Sequence, residues 1–89
     1  MPAETDATTA LDLIEKDAFQ PGPNWARAHE LVQRHEGVPL FDAIHALLHR
    51  IEGDTTNAAY WDRRAGTNFG SDGFSRELTQ LRDAVSHGR

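Results

Sequence analysis

The side chains with the most chemistry in this 89-residue chain are its five histidines. Asp42, His45 and His49 fall in one short stretch. If that stretch is helical, the i, i+3, i+7 spacing lines all three along one flank, and the i, i+4 imidazole pair can reach a single ion. A metal centre on His45, His49 and Asp42 is therefore one expectation. Its difficulty is ligand number. Asp42 points partly away from the pair, the chain has no cysteine, and a tetrahedral ion wants a third or fourth donor. The competing expectation is that histidines bordering an apolar face serve packing and hydrogen bonding. His29-Glu30-Leu31-Val32-Gln33 begins like a zinc-protease helix but carries Gln33 where the second histidine must stand, which removes that chemistry. His29 and His35 are expected to be solvated or to lie at an interface.

A second constellation is Tyr60 with Arg63 and Arg64. Two guanidinium groups beside a phenol ring can grip a carboxylate or phosphate, and arginine and tyrosine are frequent anchors of protein interfaces. Adjacent arginines on a helix also commonly form its solvated face. No glycine-rich phosphate loop, serine elbow or carboxylate pair in its own apolar pocket occurs, so no residue is nominated as nucleophile. The expectation is a non-enzyme without a cofactor.

These side chains need helices to position them. Residues 1–8 read as a flexible polar leader, and residues 9–89 as a single domain. Leu11, Ile14 and Ala18 give a first helix from about Thr9 to Phe19, ended by Gln20-Pro21-Gly22-Pro23. Asn24 caps a second helix with Trp25, Ala28 and Val32 on one face, running to about Glu36 before Gly37. Pro39 opens the third, whose apolar face of Leu40, Phe41, Ile44, Leu47, Leu48 and Ile51 is the strongest in the chain. Gly53 ends it. Asp54 then caps a fourth helix, closed by Gly66, in which Ala58, Trp61 and Ala65 share a narrow face. Thr67 to Gly73 reads as a loop. The last helix, to Ser86, places Phe74, Leu78, Leu81 and Val85 inward, with Arg76, Glu77, Gln80, Arg82 and Asp83 covering the rest. No segment alternates like a strand. The fold class expected is all-α, with about five helices forming two antiparallel hairpins under a C-terminal lid helix.

The run Gly53-Asp54, Asn57-Ala58, Trp61 and Arg63-Arg64-Ala65 resembles the second helix of a tetratricopeptide-type repeat, nearest its Sel-type branch. The segment His49-Arg50-Ile51-Glu52-Gly53-Asp54 ahead of Tyr60-Trp61 is also similar to that of small uncharacterised bacterial proteins. Asp62 departs from the repeat pattern, which tends to place a second aromatic there. The resemblance implies a helical scaffold for protein–protein interaction, whose concave side is lined by the first helix of each pair. Asp42, His45, Ala46 and His49 would then line an exposed groove for a protein or peptide partner, with Tyr60, Arg63 and Arg64 as further contacts. A structural homo-oligomer is the remaining alternative, with Phe19, Phe69 or Tyr60 pairing against a second copy.

Charge and hydropathy narrow the partners. The net charge of −5 is concentrated in the first twenty residues, where five acids face Lys16 alone. The rest carries eight arginines against nine acids without a basic stripe, so nucleic-acid binding is not expected. No apolar run approaches the ~18 residues of a membrane span, and the acidic N-terminus does not read as a signal peptide. A cytoplasmic protein is the expectation.

Overall fold

The computed structural model describes residues 3–68 and 73–86. Its helices are α1 (Ala3–Lys16), α2 (Pro23–Gln33), α3 (Pro39–Ile51), α4 (Thr55–Ala65) and α5 (Phe74–Ser86). The fold is all-α, and among the described residues there is no strand. α1 packs on α2 and α3 on α4, as paired helices would, while α5 lies against α1 and α3. α3 is the hub, touching all four others. Phe69, considered above as apolar surface, lies outside the described residues.

α1 starts at Ala3 rather than Thr9, so residues 3–8 are helix and not a flexible leader. Ala7 and Ala10 extend the apolar stripe of Leu11 and Ile14 by a further turn, and all four are buried. The same helix ends early, at Lys16. The Ala18 N–H donates to the Glu15 carbonyl at 2.9 Å and the Phe19 N–H to that of Ile14 at 3.3 Å. This is a Schellman-type closure with alanine where glycine is usual, and Ala18 and Phe19 take left-handed φ of 53° and 64°. The turn swings Phe19 onto Phe74 of α5, with ring centroids 5.9 Å apart.

α2 is capped by Gly22 and opens on Pro23. Asn24, expected as its cap, instead donates from Nδ2 to Asp17 Oδ1 at 3.0 Å, tying α2 to the end of α1. The helix stops at Gln33, three residues short of Glu36, and Gly37 turns the chain at φ 96°.

From Pro39 onward expectation and structure agree closely at the boundaries. Pro39 sits in the first turn of α3. Phe41, Ile44, Leu47 and Leu48 are buried against Leu11, Ile14, Ala28, Val32, Leu78 and Leu81. Gly53 closes α3 at φ 86°, its N–H donating to the Arg50 carbonyl and that of Asp54 to His49. Asp54 then caps α4, its Oδ1 accepting from the Asn57 N–H at 3.2 Å. α4 thus folds back on α3 with only residues 52–54 between them, and Gly66 ends it at φ 74°.

The polar side of α5 departs from expectation at Glu77, which is 0% exposed. Arg50 of α3 reaches it, donating from Nε to Oε1 at 3.1 Å and from Nη2 to Oε2. The same guanidinium donates from Nη1 to Asp62 Oδ2 of α4 at 2.7 Å. One arginine thereby joins three helices. Burial pushes the Glu77 carboxyl above its usual range, against the bonds from Arg50 that favour its charge. Asp62 therefore stands where it does as an ion-pair partner, and Thr67 Oγ1 also donates to it at 3.2 Å.

Among the described residues, no helix is long and apolar enough to cross a membrane.

Candidate metal centre

The expected exposed groove is corrected by burial. Asp42, His45, Ala46 and His49 are all buried, with His45 only 2% and His49 only 8% exposed. The cause is the tight turn at Gly53, which lays α4 over one flank of α3 while α2 packs nearby. The Trp61 ring of α4 stacks on the His45 ring, with centroids 3.9 Å apart and planes 16° from parallel.

Burial brings these histidines a third partner, His29 of α2. His29 Nε2 and His45 Nε2 lie 3.0 Å apart, a hydrogen bond between two imidazoles. The His29 ring meets His45 and His49 edge-on, at 4.7 and 5.3 Å, and His45 and His49 stack on each other at 4.9 Å. One ligand nitrogen from each of the three lies within 4.8 Å of the others. Around a tetrahedral ion with metal–nitrogen bonds of ~2.0–2.1 Å, neighbouring nitrogens sit about 3.3 Å apart.

Each ring is held by something behind it. His29 stacks on Trp25 one turn earlier on α2, centroids 4.9 Å apart, and Trp25 Nε1 is itself fixed by donating to the Leu48 carbonyl at 2.7 Å. His49 Nδ1 lies 2.7 Å from Glu52 Oε2. A carboxylate there draws the proton to Nδ1 and leaves the Nε2 lone pair free, the outer-shell arrangement common behind metal-ligating histidines. Trp61 supports His45, but His45 Nδ1 is buried without a hydrogen-bond partner among the described residues. An unmade bond of this kind costs on the order of 1–3 kcal/mol.

The electrostatics of His45 and His29 favour the neutral ring. Burial, and then the neighbouring His29 and His49, push the His45 pKa down to about 3. Burial and His49 also lower His29, against the opposing pull of Glu52 and Glu36. Both shifts favour the uncharged imidazole, the form a metal ion requires of its ligands.

Asp42, expected as the third ligand, is committed elsewhere. Its Oδ1 accepts the Gly37 N–H at 3.1 Å, and its Oδ2 lies 3.9 Å from Arg64 Nε. It braces the turn between α2 and α3. His35, expected to be solvated or at an interface, stacks on Phe41 at 4.0 Å and pairs with Asp6 at 2.9 Å. His49 also forms a second group with Glu52 and Asp54. Because Asp54 is spent on capping α4, Glu52 acts there as support for His49.

Tyr60 and Arg64 stand apart on the outer side of α4. Tyr60 is 43% exposed, its hydroxyl accepts from Arg64 Nη1 at 3.0 Å, and the guanidinium lies 5.1 Å from the Trp61 ring centroid. Arg63 is exposed beside them. Sequence reasoning missed His29, Trp25 and Glu52. The available signal was the i, i+4 pair Trp25 and His29, which places an imidazole at the border of the apolar face of α2.

No family model matches this chain, and no curated protein or solved structure does either.

Proposed function

We propose that the protein binds a divalent transition-metal ion of the zinc class through His29, His45 and His49. The observation that carries this reading is the convergence of three imidazoles from two helices, with one ligand nitrogen of each within 4.8 Å of the others. Imidazole ligands suit zinc, copper, nickel and iron, and carboxylate support behind His49 matches how such ligands are oriented. As packing alone, the cluster is an expensive filling. It buries two polar rings, half-buries a third and leaves one nitrogen without a partner among the described residues. The test is a zinc titration of chelator-treated protein carrying no polyhistidine tag, followed by calorimetry. One ion per chain is expected. His29→Ala should abolish binding as fully as His45→Ala, while Asp42→Asn should leave the stoichiometry unchanged. Zinc uptake that survives His29→Ala would defeat the proposal.

A second reading is the interaction module that the repeat resemblance implies, and the exposed Tyr60 with Arg64 stacked over it favours this. Rigid aromatic–arginine pairs are frequent interface anchors. In this reading Tyr60, Arg63 and Arg64 carry the contact. A Tyr60→Ser, Arg64→Ala variant should keep its helical circular dichroism and lose partner recovery from the native cell extract. Unchanged recovery would remove this face from consideration.

A further inference from the structure

We infer that an ion held at this centre keeps one coordination position for a small monodentate anion, such as hydroxide, azide or a simple carboxylate. The inference rests on the three-histidine reading proposed above and adds what the centre takes as its ligand. Ligand number is the first argument. Zinc-class ions take four ligands, closed structural sites supply all four from protein, and sites with three protein ligands leave a position for water or substrate. Here the cluster has three members among the described residues. Three carboxylates around the cluster are engaged elsewhere: Asp42 with the Gly37 N–H, Glu52 with His49 Nδ1, and Asp54 with the Asn57 N–H.

Charge is the second argument. Three neutral imidazoles leave both positive charges of a divalent ion uncompensated in its first shell, with Glu52 acting through His49 from outside. The rings of Trp25 and Trp61 beside His29 and His45 give poor solvation, which strengthens attraction to an anionic donor relative to bulk water. Access is the third. His45 and His49 are buried, whereas His29 and Trp25 are only half-buried, so the ion meets solvent along the α2 edge. Glu36 and Glu52 both act electrostatically on His29. Their charges oppose an approaching polyanion, and the opening suits a small anion over phosphate.

Cobalt(II) reports this directly, since its visible bands respond to the fourth ligand. Untagged full-length protein is loaded with one equivalent of cobalt and titrated with azide, acetate and phosphate in turn. Azide and acetate should each shift the bands saturably at one anion per cobalt. Phosphate at equal concentration should shift them less. Full cobalt loading with a spectrum indifferent to azide and acetate would mean that the protein supplies a fourth donor, which overturns the open position and leaves the three-histidine centre standing. Phosphate binding more tightly than azide would overturn the small-anion preference. Failure to take up cobalt at all would instead defeat the centre itself.

Discussion

Acidifying the metal-free protein should unfold it through His45. This ring is 2% exposed, and its pKa lies at about 3 when folded, against an ordinary 6.5 when unfolded. Between those values the unfolded chain holds a proton that the folded chain excludes, so stability rises with pH and is full only above 6.5. The slope across that window is ~1.36 kcal/mol per pH unit for this one group. From pH 7 to pH 5 it removes about 2 kcal/mol, and by pH 4 about 3 kcal/mol, a large part of what a small domain possesses. His29, whose pKa is also lowered, adds to the loss in the same direction. Glu77 works the other way. Its raised pKa favours the folded form toward lower pH, and so offsets part of the slope as pH falls toward 4.5. Urea unfolding followed by circular dichroism with chelator present, at pH 7, 6, 5 and 4, measures the sum. A His45→Gln variant isolates the ring. Its profile should be flatter than the parent's between pH 6.5 and 5 by about 1 kcal/mol per unit. Parallel profiles for the two proteins would refute the claim that burial keeps His45 neutral.

Two further perturbations address the frame that holds the cluster. Arg50→Ala should cost ~3–5 kcal/mol, because it strands Glu77 in the core, whereas Glu77→Gln should cost clearly less since Arg50 keeps its fork on Asp62; a loss under about 1 kcal/mol for Arg50→Ala in urea unfolding would show the three-helix junction to be dispensable. At the helix ends, Gly53→Ala should lose about 1 kcal/mol from the left-handed backbone alone, because no atom lies within 4 Å of the added methyl position. Ala18→Gly should gain up to about 1 kcal/mol at its φ of 53°. Melting temperatures moving with the same sign in both variants would contradict the left-handed assignments.

The parts of the fold that were legible in the sequence are those decided within a few residues. Pro39, Gly53, Asp54 and Gly66 mark boundaries through their own backbone chemistry, and the structure has them in those roles. The aliphatic side of α3 was legible because Phe41, Ile44, Leu47 and Leu48 repeat with the helical period. The start of α1 was hidden because Ala7 and Ala10, set among threonines and acids, are too small to mark an apolar stripe, although close helix contact favours them. Glu77 was hidden for another reason. Its partner Arg50 is 27 positions away, and no local period announces such a pair.

The candidate centre was half legible for a physical reason that bears on its function. A helix at the edge of a fold needs one apolar face, so the His45 and His49 flank of α3 reads as a rim. A hub helix is covered on every side, and α3 meets that demand with two different materials. One side is aliphatic and packs into the core. The other is a layer of imidazole and indole, in which His45 lies on Trp61 and His29 on Trp25. Stability alone does not ask for that second layer. Leucine or phenylalanine at these positions would bury comparable volume without an unpaired His45 Nδ1 or loss of stability in acid. What the histidines add is three ring nitrogens drawn together from two helices, with a carboxylate set behind one of them. A bound ion would draw its ligand bonds from this arrangement, tie α2 to α3, and return in binding free energy what the buried rings cost the metal-free fold.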